Sequence, residues 1–148
     1  MRMLFAHGAD LECVRCPDDD MSATRWTDCL REPLRKLSED DVVVGHSFGA
    51  SIVTLLLAEG SHRVGRAVLL APPNWGPDGW DVPDYVASHP PSGTAIWLHH
   101  CADDAVVPAA HLAAVAARLP GARTILHNAG GHQFAGLEED LLGETRTQ

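Results

Sequence analysis

Basic charge is scarce in this chain. Lys and Arg number 11 against 20 Asp and Glu, so the 148 residues carry a formal net charge of −9. That balance argues against a nucleic-acid partner, because binding to a phosphate backbone draws on clustered cations. Long apolar runs are missing too. Nothing approaches the roughly 20 consecutive apolar residues of a membrane-spanning helix, so no membrane partner is expected. The first residues lack the charged start and long apolar core of a secretory leader. Cysteine is limited to Cys13, Cys16, Cys29 and Cys101. Cys13 and Cys16 have C-x-x-C spacing, but no second such pair completes a zinc site. On a strand, moreover, residues three apart face opposite sides. The cysteines are read as free thiols of a cytoplasmic protein that holds no metal and no cofactor. Repeats and low-complexity tracts are also absent. The remainder is ordinary for a globular protein, 45% hydrophobic and 21% charged. The length fits one domain over residues 1–148, enough to bury about two thirds of the unfolded surface.

Among what is present, Gly45-His46-Ser47-Phe48-Gly49 is the most informative stretch. It follows the β-branched run Val42-Val43-Val44 and precedes a helix-like run over 50–58. Strand, G-x-S-x-G, helix is the context of a nucleophile elbow. The turn is tight enough to strain the serine backbone, and side chains at the glycines would collide with strand or helix. It holds Ser47 at a helix N-terminus, where the dipole and free N–H groups favour developing negative charge. The N–H of Phe48, next after the serine, is the expected oxyanion donor.

A serine nucleophile needs a base, and the base needs an orienting acid. Residues 94–98 read as a buried strand leading to Asp103-Asp104-Ala105-Val106-Val107-Pro108. A helix over 109–118 follows, then a strand over 123–127 that runs into Gly130-Gly131-His132. The acid and the histidine thus both fall just after strands, at the sheet edge where sites assemble in open α/β folds. Each piece alone has a bland reading. G-x-S-x-G arises by chance, an Asp pair is usually solvated, and a histidine after two glycines is usually a turn residue. All three in one order, each after a strand, are hard to explain that way. Ser47, Asp104 and His132 are therefore the expected catalytic residues. Asp104 is preferred to Asp103 because it stands directly in the D-x-V-V-P turn.

Elsewhere, residues 11–16 read as a strand, and so does the run from either Val64 or Ala67 to Ala71. Residues 23–37 read as an amphipathic helix with Trp26, Leu30, Leu34 and Leu37 on one face. Pro33 implies a kink or a late start there. The acidic loop at 17–20 reads as solvated. Residues 72–93, rich in Pro, Gly and Asp, form a loop long enough to suggest function. Its Trp75, Trp80 and Tyr85 suggest a small lid, with His46, Trp75 and Trp80 lining a substrate pocket. His99, His100, Cys101 and Asp103 superficially resemble metal ligands, but adjacent histidines at a strand end point apart.

With GHSFG, ADDAVVP and AGGH in place, the chain resembles the α/β-hydrolase superfamily. More narrowly it is similar to the small serine hydrolases typified by retinoblastoma-binding protein nine and YdeN-like proteins. Cys16-Pro17-Asp18, Trp26 with its leucines, VVVGHSFGA and AVLLAPP carry the likeness, which covers nearly everything from about Leu11 onward. The resemblance implies a three-layer sandwich around a mostly parallel sheet. It also implies a carboxylesterase-like enzyme that cleaves small carboxylic esters through a Ser-His-Asp triad and an acyl-enzyme. Small neutral acyl substrates suit it, since no Arg or Lys stands in the motif loops.

The N-terminus departs from that pattern. Residues 1–8 could be a parallel strand with His7-Gly8 supplying the second oxyanion donor. However, Ala9 and Asp10 alone separate them from Leu11, and a parallel crossover needs a dozen or more residues. The favoured expectation is that 1–6 ends a crossover helix stopped by Gly8, so that the fold is minimal and lacks its N-terminal strand. Residues 42–44 would then pair with 11–16, or an exposed edge would recruit a second copy into a homodimer. Two rival functions stay open: a weak or inactive hydrolase fold serving as a binding module, and an acyltransferase.

Overall fold

The computed structural model describes residues 2–7, 10–16 and 19–145. Alternating and β-branched runs make six strands: β1 (Arg2–His7), β2 (Asp10–Arg15), β3 (Val42–His46), β4 (Arg66–Leu70), β5 (Ala95–Cys101) and β6 (Arg123–His127). They form one sheet in the order β2-β1-β3-β4-β5-β6. Strands β3 to β6 are parallel, in the registers Val44↔Val68, Leu69↔Leu98 and His99↔Ile125. The helices are α1 (Ala23–Arg35), α2 (Phe48–Ala58), α3 (Ala110–Arg118) and α4 (Glu138–Thr145).

Strand alternation divides the core. Val43, Ala67, Leu69, Ile96 and Leu98 face α1, α2 and α3. Val42, Val44 and Val68 face the other way. On that second side Leu137 and Leu141, at the start of α4, pack near Ala71, Cys101 and Phe134. This makes three layers, with the sheet in the middle. Helix α1 begins where the Ser22 hydroxyl accepts the Arg25 N–H at 3.3 Å, a common N-cap. It buries Trp26, Leu30 and Leu34 completely, each side chain contributing roughly 1.5–3 kcal/mol. Pro33 sits in its last turn. There its missing N–H removes a single ladder bond, and the helix stops two residues later.

The N-terminal expectations are corrected. Residues 2–7 are a strand, neither the end of a helix nor parallel to β3. Strand β1 runs antiparallel to both neighbours, pairing Leu4 with Cys13 and with Val44. An antiparallel pair needs only a hairpin, so the two residues between β1 and β2 suffice. Direct pairing of 42–44 with 11–16 does not occur, because β1 lies between them. The direction also places His7 at the edge of the sheet opposite Ser47, since Ala6 pairs with Val42 and Leu4 with Val44. An oxyanion role for His7 fails on that ground. Gly8, and Pro17 and Asp18 of the acidic loop, lie outside the described residues.

The free-thiol reading is corrected as well. Cys16 and Cys29 form a disulfide, with Cα atoms 6.0 Å apart, inside the usual range. Cys16 leaves β2 beneath α1, and Cys29 lies on the face of α1 that packs inward. Cys13 and Cys101 are free. Disulfides persist in oxidising compartments, so the thiol argument for a cytoplasmic location is withdrawn. Among the described residues no helix is long and apolar enough to cross a membrane, and no cluster of three metal-ligating side chains occurs.

Candidate active site

Ser47 occupies the turn between β3 and α2 with φ 54° and ψ −122°, a left-handed φ that costs of order 1–3 kcal/mol for a side-chain-bearing residue. Its N–H donates to the Leu70 carbonyl at 2.8 Å, locking the turn to the end of β4. Gly45 is required by close approach. A Cβ there would stand 2.8 Å from the Ala50 Cα and 3.0 Å from the Gly49 carbonyl oxygen. Phe48 is the first residue of α2, where backbone N–H groups have no partner within the helix.

Asp104 follows β5 in a turn of its own making. Its Oδ1 accepts the N–H groups of Val106 and Val107 at 2.8 and 2.9 Å. Its Oδ2 meets His132 Nδ1 at 2.8 Å. Burial pushes this carboxyl's pKa upward, but the bonds from His132, Val107 and Val106 outweigh it and hold the pKa below the ordinary value. The carboxylate fixes the proton on Nδ1, which leaves Nε2 of His132 as an acceptor.

Asp103 has a different task. It is exposed and points to the following loop, where its carboxylate accepts the N–H of Gly131 at 2.8 Å and of Gly130 at 3.3 Å. The adjacent aspartates thus both hold the His132 loop, Asp104 through the His132 side chain and Asp103 through the backbone of Gly130 and Gly131. His46 closes the arrangement from β3. Its Nε2–H donates to the His132 carbonyl at 2.7 Å, and the two rings lie 4.7 Å apart. Burial lowers the His46 pKa, which keeps the ring neutral. Ser47 and His132 are brought to one edge in this way. No hydrogen bond joins Ser47 Oγ to the imidazole among the described residues, and such bonds are often long before substrate binds.

Trp75 and Trp80 lie on the helix side of this edge. The Trp75 Nε1–H donates to Ser51 Oγ at 2.6 Å, and the ring meets Phe48 at 6.1 Å and Trp80 at 5.0 Å. Tyr85 packs on Phe48 at 5.0 Å. Phe48 therefore links the turn at Ser47 to the aromatic segment after β4.

Two histidines near the acid carried no usable spacing signal. His100 is fully buried. Its Nε2–H donates to the Val107 carbonyl at 2.9 Å and stands 3.7 Å from Asp104 Oδ2, bracing the acid turn from behind. Strand β5 extends through His99, His100 and Cys101, beyond the expected end at Leu98, and this extension turns His100 inward. His111 on α3 accepts the Asn74 N–H through Nδ1 at 2.9 Å and packs against Trp80. Burial lowers its pKa, so it stays an acceptor and ties the aromatic segment to α3.

A mostly parallel sheet with α-helices on both faces, and a serine in a left-handed turn between strand and helix, defines the α/β-hydrolase class. Solved structures share the fold. A YdeN-like hydrolase from Pectobacterium atrosepticum matches with a TM-score of 0.67 and 20% identity, over 83% of this chain and 68% of that one. The ydeN product of B. subtilis gives 0.65 and 16%, over 88% and 79%. The Bacillus cereus carboxylesterase gives 0.57 and 21%, over 93% and 70%. The chain belongs to the serine hydrolase family, whose match spans residues 10–136. Comparison with curated proteins finds no match.

Proposed function

We propose that this hydrolase cleaves small carboxylic esters by two-step acyl transfer at Ser47. His132 Nε2 takes the Ser47 proton as Oγ attacks the ester carbonyl. Asp104 holds the imidazole in the required tautomer and offsets its positive charge. The Phe48 N–H, at the positive end of α2, donates to the oxyanion. The imidazolium returns its proton to the leaving alcohol. Water, deprotonated by the same imidazole, then releases the acid from Ser47. His46 stands beside the reacting groups and borders the substrate. The observation that carries this reading is the 2.8 Å Asp104–His132 contact, in a loop held at the His132 carbonyl by His46, the residue preceding Ser47.

Ser47→Ala should abolish p-nitrophenyl butyrate hydrolysis and fluorophosphonate labelling while the thermal transition is kept. Retained turnover and labelling in that variant would refute the assignment. A second reading, a hydrolase fold that binds without turning over, is favoured by the absent Ser47–His132 bond. It predicts that the unaltered protein fails to label.

A further inference from the structure

A cavity of about 260 Å³ opens between α2, α3 and the segment that follows β4. Neither Ser47 nor His132 lines it. Its walls include Trp75, Tyr85, Val115 and Leu119, and its polar groups include Ser51 and Arg118. Mostly apolar walls with a few convergent polar groups are the usual make-up of a small-molecule site.

The charge pattern is the telling feature. Acidic residues outnumber basic ones 20 to 11 in the chain, yet no Asp or Glu lines this cavity, whereas Arg118 does. Arg118 ends α3, and its guanidinium lies against the Gly76 backbone so closely that a Cβ there would collide with it. No carboxylate pairs with it among the described residues. An unpaired guanidinium beside apolar walls offers a forked donor set for a planar anion. The Ser51 oxygen already accepts Trp75 Nε1–H, which leaves its hydroxyl proton for a ligand oxygen.

We propose that this cavity is a second ligand site, separate from Ser47, that takes a small arylalkyl carboxylate. The aryl group lies among Trp75, Tyr85 and Leu119, and the carboxylate meets Arg118. Trp75 and Tyr85 both touch Phe48, so occupancy is felt beside the serine turn. The site itself does not depend on the esterase reading, and it is tested by binding alone.

The probe is 3-phenylpropanoate, with 3-phenylpropanamide as the neutral control, titrated by calorimetry and followed at the Trp75 indole N–H by NMR. The carboxylate should bind at least tenfold more tightly than the amide and shift the Trp75 signal. Arg118→Gln should erase the preference, and Ser47→Ala should leave it intact. Val115→Trp, or Ala87→Trp on the opposite wall, should block both compounds. Failure of the carboxylate to bind, equal binding of the amide, or binding that survives both filling variants would overturn the proposal.

Discussion

Asp103 and Asp104 are neighbours with the same chemistry and opposite assignments, and the hydrogen bonds separate them. Asp104 Oδ2 faces an imidazole nitrogen, while Asp103 accepts only backbone N–H groups in contact with water. Asp104→Asn should lower turnover by about 10⁴-fold, the scale seen when a triad acid is neutralised in serine proteases. Asp103→Asn should cost no more than about tenfold, or about 1.4 kcal/mol. Steady-state p-nitrophenyl ester kinetics on the two variants decide it, and the reverse order would move the orienting role to Asp103. His99 makes a prediction about pH. Burial, followed by the nearby charges of His127 and Arg123, lowers its pKa to about 4. An unfolded histidine titrates near ~6.5. Between those values the unfolded chain binds a proton that the native chain refuses, so this group makes stability rise with pH across that window. Urea denaturation from pH 7 to pH 5 should show falling stability, and His99→Phe should flatten the slope.

At the scale of elements, the disulfide joins the end of β2 to the middle of α1. Its two cysteines are 13 residues apart in sequence. Closing a loop of that size stabilises by about 3 kcal/mol in the chain-entropy account. Cys16→Ser with Cys29→Ser should lose about that much in chemical denaturation. Dithiothreitol should have the same effect on the unaltered protein and none on the variant. The consequence reaches the site because Trp26, three residues before Cys29, packs edge-on to Phe48 at 5.0 Å. A loosened α1 therefore slackens the residue proposed to hold the oxyanion, and turnover should fall along with stability.

For the whole molecule, the decisive feature is the strand slot between β2 and β3. The hairpin strand β1 fills it and pairs along both edges, so β3 presents no open ladder. Removing residues 1–9 should expose the β3 edge, and exposed edges recruit other chains. The shortened protein should elute as larger species on size exclusion and melt at a lower temperature. Elution and stability identical to those of the unaltered protein would refute the part assigned to β1 in covering that edge.

The sequence alone determined whatever depends on short spacing. The strand β6, the apolar face of α1 and the glycine ahead of Ser47 were all legible because each is set by residues within a few positions. The chain order Ser, Asp, His at strand ends was legible for the same reason. Helix α4 had no such signal: its apolar face is weak, and it is held by Leu141 against the sheet. Tertiary structure decided the rest. A strand's alternation reads the same in either direction, so nothing local could say that β1 runs antiparallel. The pairing of Cys16 with Cys29 depends on how β2 and α1 cross, and this is not encoded in their spacing. The D-x-V-V-P turn already favoured Asp104 over Asp103, but the separate partners of the two carboxylates came only with the β5 and β6 loops laid side by side, and the brace from His100 to Val107 came with β5 running past Leu98. Polar side chains are assigned by which partner comes within about 3 Å, and for residues nearly thirty positions apart only the folded chain supplies that partner.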